Sequence, residues 1–255
     1  TGTANTAVGK DALEANTTAS NNTAVGKGAL EANTTGTQNT ALGSGALDAC
    51  TTSSYNTAVG YIAGSTQTTA AENTFIGAYA GALTTTGANN TSVGSSALYV
   101  NTTGANNTAV GREALVLNTT GANNTAVGSG ALDANTTGSF STAVGTSALT
   151  AQTGAGAENT AVGHSSQLAT TTGTGNSSFG EGSGKDITTG SQNVMIGADT
   201  GRAASPSGSI TTESNRLCMG NNTITNAYIK VDWTVTSDKR DKTDIEPLTI
   251  GLNFV

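Results

Sequence analysis

The chain has little of what most folded domains are made from. Of 255 residues, 4% are aromatic, 11% are charged, two are proline and two are cysteine. A soluble globular domain carries about 25% charged residues, so the composition argues against an ordinary globular enzyme. Disorder is not expected either: disordered chains are rich in charge and proline, whereas here 35% of residues are hydrophobic, most of them small. Ten Lys and Arg against 17 Asp and Glu leave a net charge of -7. Nucleic acid, which is gripped through basic residues on phosphates, is therefore not an expected partner. No apolar run approaches the roughly 20 residues that cross a bilayer, so no membrane insertion is expected. Thr1 follows no charged and apolar leader, and the chain reads as a soluble piece of a longer one. Cys50 and Cys218 are far apart, and neither stands at metal-ligand spacing from another Cys or from His164. No disulfide framework, metal site or cofactor is expected.

Glycine, by contrast, numbers 34, and much of it is periodic. The motif Asn-Thr-Ala-Val-Gly fills Asn5 to Gly9 and returns at Asn22 to Gly26. Its closing glycine recurs at Gly9, Gly26, Gly43, Gly60, Gly77, Gly94, Gly111, Gly128, Gly145, Gly163, Gly180 and Gly197, every 17 residues with a single step of 18. The segment Asn107 to Asn123 is a consensus copy. That period is too short for a helix pair or a propeller blade and fits one coil of a parallel β-solenoid. Thr-Ala-Val makes a minimal strand, the glycine after it a sharp bend, and Asn-Thr-Thr-Gly a turn. The same residues disfavour helix. The expected fold is all-β: a solenoid (β-roll) of twelve coils over residues 1–201.

Stacked coils place each position over its counterpart. Val8, Val25, Leu42, Val59, Ile76, Val93, Val110, Val127, Val144, Val162, Phe179 and Ile196 form one aliphatic column, and Leu13, Leu30, Leu47, Leu98, Leu115, Leu132 and Leu149 a second. Asn5, Asn22, Asn39, Asn56, Asn73, Asn90, Asn107, Asn124, Asn159, Asn176 and Asn193 stack their amides along the turn, the ladder that in-register strands permit. Burying the Val and Leu of one coil yields roughly 3–6 kcal/mol, while ordering its residues costs about 1–2 kcal/mol each. Neighbouring coils and partner chains must supply the difference. Ala7 and Val8 point to opposite faces of their strand and both are apolar, so one face packs inside the coil and the other against another chain. An oligomer is expected; a monomeric solenoid with one weakly apolar face in water is the alternative.

This repeat resembles the coils of trimeric autotransporter adhesin heads, whose parallel β-rolls carry an Asn-Ser-x-Ala-Ile-Gly motif. It resembles the repeats of many bacteriophage tail fibres more closely. The resemblance covers Thr1 to about Gly201 and departs from the adhesin pattern in its longer period and Thr-rich turns. It implies a homotrimer around one axis, located in a virion tail fibre assembled in the host cytoplasm. Its implied partner is a host cell-surface receptor, a glycan.

The pattern loosens after Gly145: one residue is added in the Thr153 to Glu158 turn, Leu168 is displaced by one place, and Gly184 and Gly201 replace the second aliphatic. Residues 202–236 then read as a degenerate last coil, Leu217-Cys218-Met219-Gly220, followed by a small β cap. In that cap Ile229, Val231, Trp233 and Val235 alternate with polar residues as in a half-buried strand. Charge returns abruptly in residues 237–255. There Ser237-Asp238-Lys239-Arg240-Asp241-Lys242 resembles the Ser-Asp-x-Arg-x-Lys opening of the endosialidase-type intramolecular chaperone of phage fibres and tailspikes. The resemblance implies self-cleavage at Thr236-Ser237, with Ser237 as nucleophile and Lys242 as its base. A desolvated lysine can serve in that way. The bland reading is a solvated charged linker.

Elsewhere the chemistry is sparse. Glu14, Glu31, Asp48, Glu113 and Asp133 lie near the second aliphatic on an edge; stacked carboxylates at about 5–10 Å could cleave a polysaccharide, but solvated edge charge accounts for them. Calcium-binding rolls need an Asp-containing Gly-rich turn, which no copy has. His164 reads as a surface residue, and Cys50 as an inert substitution in a slot usually held by Asn. Paired threonines at 17, 34, 102, 119 and 136 suggest ice binding only weakly, because turns carry them. A cell-surface or contractile-injection-system adhesin and a fibre-borne glycan depolymerase are the alternatives to a phage attachment fibre.

Overall fold

The computed structural model describes residues 2–154 and 156–226. The chain divides into two units, Thr1–Thr223 and Ile224–Val255, and the strands among the described residues belong to the first. They are β1 (Thr6–Val8), β2 (Thr23–Val25), β3 (Thr40–Leu42), β4 (Thr57–Val59), β5 (Thr74–Ile76), β6 (Thr91–Val93), β7 (Thr108–Val110), β8 (Thr125–Val127), β9 (Thr142–Val144), β10 (Thr160–Val162), β11 (Ser177–Phe179), β12 (Val194–Ile196) and β13 (Leu217–Met219). They form one sheet in chain order, every pair parallel and in register, with Thr6 over Thr23, Ala7 over Ala24 and Val8 over Val25. The protein is an all-β parallel solenoid, and no helix occurs among the described residues. At about 4.8 Å per strand the sheet runs roughly 60 Å.

Each of the twelve expected coils carries a strand, and the degenerate copy at Leu217 supplies the thirteenth. The extra residue in the turn before Glu158 is absorbed without loss of register, since Thr160 still pairs with Thr142. Between β12 and β13 a longer excursion leaves the pattern and returns Ile210 to the interior, where it is 3% exposed. The β cap and the chaperone motif expected after it lie outside the described residues.

The strands β1 to β11 are short because the position after each of them tolerates no side chain. Gly111 has φ +131°, and a Cβ there would lie 2.6 Å from the main-chain carbonyl of Gly128 one coil on. Three further positions per coil are left-handed, and most are not glycine. One is the leucine column, where all seven leucines have φ between 51° and 54°. A non-glycine residue in that region costs about 1–3 kcal/mol. Burial of the leucine side chain returns about as much, and the ladder fixes its main chain: the Leu115 N–H donates to the Ala131 carbonyl at 3.0 Å.

The interior differs from the Val and Leu pairing expected. Ala24, Ala41, Ala58, Ala109, Ala126, Ala143 and Ala161 point inward and are fully buried, together with the leucines. The valine column points outward, with Val8 57%, Leu42 47% and Ile76 40% exposed. The physical reason is width. Inside the consensus coil the strand faces the leucine column and two asparagine side chains, leaving room for a methyl group.

Phe75 measures that width. It replaces alanine in β5 and is fully buried, and the leucine column is cut to glycine on both sides of it. A Cβ at Gly81 would lie 2.3 Å from the ring, and one at Gly64 2.6 Å. Gly201 makes the same room for Met195, whose Sδ would be 2.9 Å from a Cβ there. The glycines of the last coils are thus a repacking around a second small core of Ile187, Met195 and Ile210 rather than a loss of packing.

Two buried columns, both asparagine in the consensus coil, close the turns; Cys50, Gln67, Thr84, Gln152, Thr170 and Ile187 take the second position in other coils, and Ser141 the first in one. In the first, Asn107 Oδ1 accepts the Asn124 N–H at 3.0 Å, and Asn107 Nδ2 donates to the Gly121 carbonyl at 2.9 Å. In the second, Asn118 Nδ2 donates to the same carbonyl at 2.9 Å and to Asn101 Oδ1 at 2.9 Å. The expected amide ladder exists, but it lies inside the coil and serves mainly the main chain.

Candidate functional surfaces

A solenoid offers repeated columns rather than a pocket, so its chemistry is set by which column faces water. The outward face of the sheet carries Thr, Ser, Val or Leu at the first strand position and Val, Leu, Ile, Phe or Met at the third, and no third-position residue is buried. Thirteen apolar side chains therefore stand in one file down the rod. Monomeric proteins seldom leave contiguous apolar patches larger than a few hundred Å².

The edge beyond the closing glycine is charged at both ends of a central gap. Lys10 pairs with Asp11 at 2.6 Å and Arg112 with Glu113 at 2.7 Å. Glu14, Glu31 and Asp48 occupy one column of this edge, as expected. Partial burial raises the Asp48 carboxyl above its ordinary value, Glu31 adding to the effect, although a hydrogen bond from its own neighbour, the Ala49 N–H at 2.9 Å, opposes it. Asp133 is raised by burial in the same way, with Glu113 contributing. Glu14 and Glu31 are exposed, as solvated edge charge is, whereas Asp48, Glu113 and Asp133 are half-buried.

In the gap the edge is aromatic. Tyr61, Tyr79 and Tyr99, from three successive coils, meet edge to face with ring centroids 5.4 and 6.2 Å apart. Column counting missed this cluster because each tyrosine occupies a different position in its coil. The signal available in the sequence was the charge gap, since Glu72 is the sole charged residue between Asp48 and Arg112.

The threonine turn is committed to structure. Thr102 Oγ1 donates to the Thr119 carbonyl and Thr119 Oγ1 to the Thr136 carbonyl, both at 2.9 Å. His164 is exposed, its Nδ1 3.6 Å from Glu181. Cys50 is buried in the second asparagine column, its Sγ 2.9 Å from Ser53 Oγ, and burial pushes its thiol up. The excursion before β13 forms a cavity of about 290 Å³ lined by Ser207, Ser209, Ile210, Glu213, Arg216, Leu217 and Cys218. Glu213 is held below the usual carboxylate range by main-chain N–H groups, first that of Thr211 at 2.8 Å. Ser237 and Lys242, the expected cleavage pair, lie outside the described residues. No protein-family model, curated protein or solved structure matches this chain.

Proposed function

We propose that this chain is the shaft of a trimeric attachment fibre of the phage-tail type, with its sheet faces turned toward the trimer axis. The observation that carries the reading is the unbroken outward file from Val8 through Val110 to Met219. A lone rod would expose it to water along its whole length, whereas three chains around an axis bury it. Stiffness follows from the fold, because each strand from β1 to β13 is hydrogen-bonded to the next. Such a rod displays its turns and edges outward, where a host-surface glycan can reach them. Ahead of the chaperone that the Ser237 motif resembles, trimerisation sets the register of the three chains before release at Thr236-Ser237.

Mass determination in solution tests the assembly. The expected mass is three chains, and Val93→Lys/Val110→Lys/Val127→Lys should lower it to one, because three charges would enter a desolvated file. A wild-type chain that sediments as a monomer at micromolar concentration overturns the reading. Release is tested separately in the full-length protein: Ser237→Ala should stay uncut, and cleavage at Thr236 in that variant removes Ser237 from the role.

A further inference from the structure

We infer that Tyr61, Tyr79 and Tyr99 form a binding site for an uncharged glycan chain. Repetition does not account for their meeting. A ladder produced by copying a coil would bring its members from one column, as the leucines and asparagines do. Here Tyr61 stands one place after its closing glycine, Tyr79 two and Tyr99 five, and the three converge diagonally across the edge.

The main chain under them is fixed. The Tyr79 N–H donates to the Tyr61 carbonyl at 2.9 Å, and the Tyr99 carbonyl accepts the Leu83 N–H at 2.9 Å. The rings meet edge to face at 89° and 78°, so each contact covers one ring face and leaves the opposite face of that ring free; Tyr61 is 50% and Tyr79 38% exposed. Among the described residues no protein group hydrogen-bonds their hydroxyls. Tyrosine suits recognition because it offers a large rigid face and a polar tip at little entropic cost. The apolar C–H face of a sugar ring stacks on such faces, and its hydroxyls reach the phenolic oxygens.

Charge selects the class of glycan. The same edge bears Lys10, Asp11, Glu14, Lys27, Glu31 and Asp48 before the cluster and Arg112 and Glu113 after it, with none between. An acidic polysaccharide would find no cation at the rings, and on the flanks Lys10 and Arg112 are already paired with Asp11 and Glu113. An uncharged chain running along the rod would meet successive rings at intervals near the advance of one sugar. This deepens the attachment reading and rests on it only for the origin of the glycan.

Isothermal titration and saturation-transfer NMR against β-linked glucose, galactose and N-acetylglucosamine oligosaccharides, with polysialic acid as the acidic probe, test the site in the full chain. The variants are Tyr61→Ser, Tyr79→Ser and Tyr99→Ser, singly and together. Serine already fills these slots at Ser44, Ser96 and Ser65, so folding is preserved, and the circular dichroism spectrum should not change. At least one neutral oligosaccharide should bind, the triple variant should weaken it by tenfold or more, and Tyr55→Asn, at a different position of the coil, should not. Binding that survives in the triple variant, binding of polysialic acid alone, or no binding by any neutral probe overturns the inference. Sedimentation of the same samples separates the two readings: a monomer that binds sugar through the tyrosines refutes the trimer and leaves this site standing.

Discussion

The pairing of Phe75 with Gly64 and Gly81 can be taken apart and rebuilt. Phe75→Ala should leave a cavity in the fifth coil and cost about 3–5 kcal/mol, the usual range for a buried phenylalanine. Gly64→Leu or Gly81→Leu in the wild-type chain should also destabilise, by roughly 1–3 kcal/mol each, because each Cβ would enter the ring at 2.6 or 2.3 Å. Combined, the damage should reverse. Phe75→Ala/Gly64→Leu/Gly81→Leu recreates the alanine and leucine arrangement of Ala109 with Leu98 and Leu115, which are fully buried. Each new leucine adds about 1.5–3 kcal/mol of burial, against a left-handed main chain that costs about 1–2 kcal/mol. The triple variant should therefore recover most of what Phe75→Ala loses. A repeat array need not unfold as one unit, so the measurement is amide exchange across residues 57–99, where each 1.4 kcal/mol is about a tenfold change in protection. If the triple variant exchanges as fast as Phe75→Ala, or Gly81→Leu alone is harmless, the interior is wider than the structure states and the account of the outward valines fails.

Two further outcomes follow from named positions. Gly111→Ala should cut protection in β7 and β8 severely, since its Cβ meets a main-chain carbonyl at 2.6 Å, whereas Gly130→Ala, at φ +64° with its nearest atom 3.9 Å away, should cost about 1 kcal/mol; equal effects in exchange would refute the steric reading. Burial raises the Asp133 carboxyl, so folding takes up a proton there, and this contribution is present below the unfolded pKa of about 3.9 and lost as pH rises through the folded value. Asp133→Asn should melt above wild type at neutral pH and converge with it below about pH 4; a gap that stays constant across a pH series of thermal melts would show that the charge is not responsible.

The fold was legible because its signal is redundant. Twelve glycines in register define the period, the period defines the coil, and in-register stacking follows without any information about long-range contacts. The direction of the strand was not legible in the same way. Ala7 and Val8 are both apolar, and alternation says only that they part, while the larger residue is ordinarily the buried one. Deciding between them needed the volume of the interior, which depends on left-handed leucines and on asparagines turned inward. Neither signature is local: leucine does not advertise a positive φ, and asparagine beside threonine reads as a surface turn. Phe75 could have settled the matter, since its two glycine neighbours in the leucine column are visible in the sequence at Gly64 and Gly81. The tyrosine cluster was hidden for a related reason, because it crosses columns, whereas counting by 17 follows them.

The inversion of sizes bears on what the rod is for. A solenoid that needed only its own interior would gain by placing the larger apolar residue inside and a polar one outside, giving the alternation usual for a sheet with one wet face. Here the strand's own inward position is mostly a methyl group, whose burial contributes little beside that of the leucine column, and the outward third position is apolar in all thirteen strands. The stability forgone inside is therefore available at the outer face, but only when something covers it. Substituting the outer file with threonine at β6, β7 and β8 separates the cases. In an isolated rod it should leave amide protection nearly unchanged, since each valine there is already partly in water. In an assembly it should weaken association and protection together, and protection that holds while association fails would mean that each coil stands on its own hydrogen bonds.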